Sequence, residues 1–167
     1  MDDLSEERLA LVNPILADKV RIAANMLWPI VIRVVQGLRS WSQQADLWQQ
    51  GRILDPSTGL WSVVGKTVTN CPGGHSWHNY GLAVDVAPND ESQPIWKPDW
   101  NAEHPNWKRI HEVALSIGLV CGSDFRTFPD NPHLQLTGRF PANPDKEAQG
   151  IFRDGGMQAV WREAQLA

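Results

Sequence analysis

Apolar positions between residues 5 and 27 recur at helical spacing, and Leu9, Val12, Leu16, Val20 and Met26 can share one side. Ser5 is placed to cap that helix, with Glu6 and Glu7 in its first turn. Pro14 predicts a kink or split within it. Residues 30–36, Ile-Val-Ile-Arg-Val-Val-Gln, form a β-branched run and read as a strand. A second helix is predicted over 42–50, closed by Gly51. Residues 52–76 read as loop, with a short strand at Thr67 to Thr69, and residues 82–87 alternate as a strand does. A Pro-rich loop over 88–105 leads to a helix from Trp107 to Ile117, stopped by Gly118. His133 to Thr137 alternates again, and a last short helix is expected over 156–165. Helices early and a small antiparallel sheet later define an α+β domain.

The two late strands carry the chemistry. Leu82, Val84 and Val86 fall on one face of the first, and Ala83, Asp85 and Ala87 on the other. Leu134 and Leu136 separate in the same way from His133, Gln135 and Thr137. If the strands are neighbours, their apolar faces pack on helices. The opposite faces then line a cleft holding Asp85 and His133. Gly81 allows a bend that returns His78 to the same point. Two histidines and one carboxylate are the ligand set of a catalytic zinc site, which keeps one position open. His75 is a rival ligand, disfavoured because it precedes the Ser76-Trp77 bend. His104 and His111 read as structural or exposed. The absence of a His-Glu-x-x-His helix excludes the zincin layout.

Composition narrows the class. The chain has 167 residues, enough for one domain, with 42% apolar and 20% charged residues. A net charge of −4 gives no global support for nucleic-acid binding. No run of about 18 apolar residues exists, so no membrane span is expected. The acidic Met1-Asp2-Asp3 start does not read as a secretory signal. Cys71 and Cys121 are too few for a disulfide scaffold and are expected as free thiols. Nine tryptophans read mainly as packing groups, with Trp77 the best candidate for a binding role because it lies inside the His78 motif.

The pattern Ser76-x-His78-x-x-Gly81-x-Ala83-x-Asp85, followed by Asp130-x-x-His133, resembles the zinc peptidoglycan peptidases of the D-alanyl-D-alanine carboxypeptidase and L-alanyl-D-glutamate endopeptidase group. Gly37-Leu38-Arg39-Ser40, Gln44, Leu47-Trp48 and Gly122-Ser123-Asp124-Phe125 extend the likeness over roughly residues 35–137. The Asp-x-Pro-His-x-Gln ending looks like the endopeptidase branch, which includes phage endolysins. The loop from Ile53 to Lys66 is longer than that branch suggests, and Cys121 and Phe125 stand where it tends to have tryptophan.

The resemblance implies a single catalytic domain over 1–167 without a separate wall-binding domain, binding Zn²⁺ through His78, Asp85 and His133. It implies Asp130 as general base. Arg39 is implied as oxyanion stabiliser and substrate contact, with a structural ion pair as its alternative role. Ser76 either binds substrate or orients its loop, and Gln135 can support a ligand. The expected substrate is the peptidoglycan stem peptide, cut at the L-alanyl-D-glutamate bond. A D-alanyl-D-alanine carboxypeptidase or a non-catalytic zinc-bearing wall-binding module are the alternatives. The expected enzyme is a monomer made in the host cytoplasm, acting on the wall in the periplasm after release.

Overall fold

The computed structural model describes residues 1–165. Helices α1 (Asp3–Leu9) and α2 (Pro14–Met26) replace the single early helix. The split falls where Pro14 predicts it: Asn13 caps α2 by accepting from the Ile15 and Leu16 amides, and Pro14 takes the first helical position. Leu9, Val12, Leu16 and Val20 are buried as expected, whereas Met26 faces solvent and Leu27 takes the inner place.

Strand β1 (Ile32–Gln36) leads to helix α3 (Trp41–Gln49), which opens with a capping box between Ser40 and Gln43. Residues 52–76 are not simply loop. Strands β2 (Arg52–Leu54) and β3 (Trp61–Val63) form a hairpin, and the strand expected at Thr67 to Thr69 is absent. Trp61 meets Trp48 of α3 edge-on at 5.2 Å, and Arg52 lies 4.7 Å over the Trp48 ring.

A 3-10 turn (Trp77–Tyr80) then enters strand β4 (Ala83–Pro88). Helix α4 (Pro105–Ser116) is followed by strands β5 (Val120–Cys121) and β6 (His133–Gln135). Helix α5 (Lys146–Ala164) begins ten residues before the predicted 156 and is broken at Gly156, where φ is 69°.

The main sheet has the order β1-β4-β6-β5, with every pairing antiparallel. Its β1 edge is covered by α1: the Val34 amide donates to Ser5 Oγ at 3.0 Å, and Arg8 donates to the Val34 carbonyl at 2.5 Å. One hydrophobic cluster joins α2 and α4 to this sheet through Leu16, Val20, Ile110, Val84, Val86 and Leu134. A second gathers Trp77, Tyr80 and Leu82 with Phe140, Ala148 and Val160. β4 contributes to both, Ala83 to the second and Val84, Val86 and Ala87 to the first, and all four are fully buried. Of Ala83, Asp85 and Ala87, only Asp85 lines the cleft, whereas His133 and Gln135 of β6 both do.

No helix among the described residues is long and apolar enough to cross a membrane. Cys71 and Cys121 are both free.

Candidate metal centre

Asp85 and His133 are direct partners across β4 and β6, so the pleat delivers both side chains to one face. His78 arrives from the 3-10 turn. Gly81 closes that turn in the left-handed region at φ 63°, and a Cβ there would press on Trp161 at 3.1 Å and on Met157 at 3.2 Å. The expected bend is thus present, and it requires glycine for two separate reasons.

The three groups meet in a small triangle. His78 Nε2 lies 3.1 Å from Asp85 Oδ1 and 3.2 Å from His133 Nδ1, and His133 Nδ1 lies 3.4 Å from Asp85 Oδ1. Tetrahedral ligands about 2.0–2.2 Å from a zinc-sized ion stand about 3.3–3.6 Å apart, so the triangle has the right size for three of four corners.

The protons confirm the fit. His78 Nδ1 lies 2.8 Å from the Gly37 carbonyl, which can only accept, so the proton is on Nδ1 and Nε2 carries the lone pair. Gln135 donates its amide N–H to the Ala142 carbonyl at 3.1 Å, which turns its Oε1 toward His133 Nε2 at 2.9 Å. His133 therefore donates from Nε2 and presents the Nδ1 lone pair. Two ring nitrogens and a carboxylate oxygen thus converge, and with both rings neutral they present three lone pairs suited to a cation. Among the described residues, these three are the only group of histidine, cysteine and carboxylate side chains close enough to hold a metal ion. His75 is exposed outside the triangle, His104 caps α4, and His111 donates to the Asn131 carbonyl.

Left to themselves, the same groups share protons instead. Burial pushes the Asp85 carboxyl up, but the His78 and His133 imidazoles outweigh it and hold the group well below the usual carboxylate range. Burial pushes His133 down, yet its hydrogen bond to Asp85 and that group's charge leave it above its ordinary value. Asp130 lies beside the triangle without joining it. Its carboxyl is raised, first by burial and then by the charge of Asp85, against the pull of His133, His78 and Arg39.

Arg39 donates to Gln44 Oε1 at 2.7 Å and approaches Asp85 Oδ2 at 3.4 Å, so it contacts the ligand carboxylate from behind. Gln44 in turn donates to the Cys71 carbonyl at 2.7 Å. Arg39 Nε is shielded and unpartnered. Asn79 ties this turn to the motif loop. Its amide donates to the Arg39 carbonyl at 2.9 Å, and its Oδ1 accepts from the Gly74 amide at 2.9 Å.

The triangle opens into a cleft of about 430 Å³ lined by Arg39, Ser76, Asp130 and Gln135 together with Cys71, Phe125, Arg126 and Asn143. Ser76 is nearly buried there. Trp77 touches the cleft but is 1% exposed, packs on Tyr80 and Phe140, and donates to the Pro141 carbonyl. Its expected stacking on substrate is therefore corrected to a packing role. The sequence did not single out Asn79 or Arg126. The Asn79 signal was its place inside the motif, and the Arg126 signal its place directly after Phe125.

An α+β sheet carrying a His-Asp-His triangle beside a separate carboxylate has the parts that metal-assisted hydrolysis needs. Residues 69–136 match the family described as D-alanyl-D-alanine carboxypeptidase. The peptidoglycan L-alanyl-D-glutamate endopeptidase CwlK of Bacillus subtilis (strain 168) is 32% identical over 111 residues, covering 64% of this chain and 61% of that protein. The chain thus spans less than two thirds of that relative. The crystal structure of the Serratia marcescens L-Ala D-Glu endopeptidase ChiX superposes with a TM-score of 0.54 at 25% identity, covering 93% of this chain and 92% of that one. Over residues 69–136 the chain is similar to this family, and it resembles these two peptidoglycan endopeptidases in sequence and in fold.

Proposed function

We propose that the protein is a zinc-dependent endopeptidase that cuts the peptidoglycan stem peptide between L-alanine and D-glutamate. The observation that carries the reading is the triangle of donor atoms at His78, Asp85 and His133, with the raised carboxyl of Asp130 beside it. The names of the two relatives favour this bond over D-alanyl-D-alanine.

Bound zinc supplies Lewis acidity and lowers the pKa of water toward neutrality. His78 and His133 are oriented for it by Gly37 and Gln135, and Asp85 is oriented by Arg39. Asp130 takes a proton from the attacking water and delivers it to the nitrogen of D-glutamate as the amide C–N bond breaks. L-Alanine leaves with a carboxylate and D-glutamate with an amine. Arg39 lines the cleft and adds positive charge that favours the oxyanion, and Ser76 lines the same cleft as a substrate contact.

The enzyme acts as a monomer in bacterial lysis, in the manner of a phage endolysin, reaching the wall from the cytoplasm after release. Mass spectrometry of digested peptidoglycan tests the bond. New amino groups on D-glutamate support the endopeptidase, whereas release of free D-alanine alone moves the activity to the carboxypeptidase class. No product from zinc-loaded protein refutes the peptidase reading.

A further inference from the structure

Asp130 must approach the nitrogen of the bond it helps to break, and this creates a charge problem. In a stem peptide joined through the side-chain carboxyl of D-glutamate, the free α-carboxylate sits on the same carbon as the scissile nitrogen. It therefore enters the cleft close to Asp130, a like charge. Two arginines line the cleft. Arg39 is occupied by Asp85 and Gln44. Arg126 is exposed, and among the described residues it has no carboxylate partner.

The loop holds Arg126 close to the chemistry. The Phe125 and Asp130 amides both donate to the Gly122 carbonyl, at 3.0 and 2.9 Å, so the two ends of the 125–130 segment are pinned to one atom. The Phe125 ring rests 5.6 Å from the His133 ring. Arg126, the next residue, is thus anchored beside a metal ligand while its long side chain stays free at the cleft wall.

We propose that Arg126 forms an anion subsite that takes the α-carboxylate of the residue on the amine side of the scissile bond, making the enzyme selective for stem peptides with free D-glutamate over those carrying the α-amide. The proposal rests on the peptidase reading and adds to it a basis for discriminating wall chemotypes. A guanidinium can grip the carboxylate through two parallel hydrogen bonds and offset its repulsion by Asp130. The neutral amide gains little from Arg126 and loses little to Asp130.

The test uses two acetylated stem peptides that differ only in having the α-carboxylate or the α-amide on D-glutamate. Zinc-loaded wild type should prefer the acid, chiefly through KM. Arg126→Gln should lower kcat/KM for the acid by about 10- to 100-fold while leaving the amide peptide unchanged. Arg126→Lys should keep part of the preference, since it retains charge but not the fork. Equal wild-type rates on both peptides, or equal losses on both in Arg126→Gln, would overturn the subsite while leaving the peptidase intact. Cleavage of neither peptide by wild type would overturn the peptidase reading and the subsite together.

Discussion

Gln135 and His133 are alternate residues of one strand, and Gln135 Oε1 accepts from His133 Nε2 at 2.9 Å. Alternation places both side chains on the same face. The ligand and the group that fixes its tautomer are thus supplied by three consecutive residues. Replacing Gln135 with Ala should weaken zinc affinity by about 10- to 100-fold while leaving the sheet folded. A competition titration with a chromophoric chelator measures this. Unchanged affinity would show that the tautomer is set by something else.

Asp130 and Asp85 separate by role. Asp130→Asn should retain zinc and slow hydrolysis by about 10²–10⁴-fold. Asp85→Ala should lose the metal and the activity together. Elemental analysis beside a rate assay distinguishes the two, and zinc loss in Asp130→Asn would make Asp130 a ligand instead.

Tyr80 is the only tyrosine in the chain, so phenolate absorbance reads it alone. Burial pushes its hydroxyl up to about 12, and it donates to the Gly74 carbonyl at 2.8 Å. The fold favours the neutral form. The associated stability is present in full below the unfolded value of 10 and is lost as pH rises from 10 through about 12. A spectrophotometric titration with a midpoint near 10 in folded protein would contradict the buried placement.

Two glycines should respond in opposite directions to alanine. At Gly122 a Cβ would stand 2.5 Å from the Asp130 carbonyl oxygen and 2.7 Å from His133 Cβ, so Gly122→Ala should displace the loop, lower the melting temperature and depress activity. At Gly150, inside α5, a Cβ has no neighbour nearer than 3.7 Å, and Gly150→Ala should stabilise by about 0.5–1 kcal/mol. Thermal melts of both variants check the pair.

The site was legible where periodicity and chemistry coincided. Alternation around Asp85 and His133 predicted shared faces, and the strands are paired at those two residues. Gly81 announced the bend that brings His78 back. Pairing at a distance was not legible: the hairpin of Arg52–Leu54 and Trp61–Val63 has strands too short to show a period, and it rests on Trp48. The first half of α5 was hidden because Gly150 and Gly155 lower its intrinsic helicity. It is held instead by Ala148, Ile151 and Phe152 packing on the Trp77 and Tyr80 cluster. Trp77 misled because its place in the motif suggested contact with substrate, while its size and single polar atom suited the interior.

The three ligands do not share one foundation. His78 is carried by a turn whose aromatic neighbours belong to the α5 cluster, whereas Leu134 and Val84, beside His133 and Asp85, belong to the α2 and α4 cluster. An ion gripping all three is therefore a rivet between two separately packed halves, and its binding free energy adds to the cohesion between them. Stripping the ion should loosen the C-terminal helix before the sheet. Hydrogen exchange along α5 would then report metal occupancy from a distance, with no substrate present.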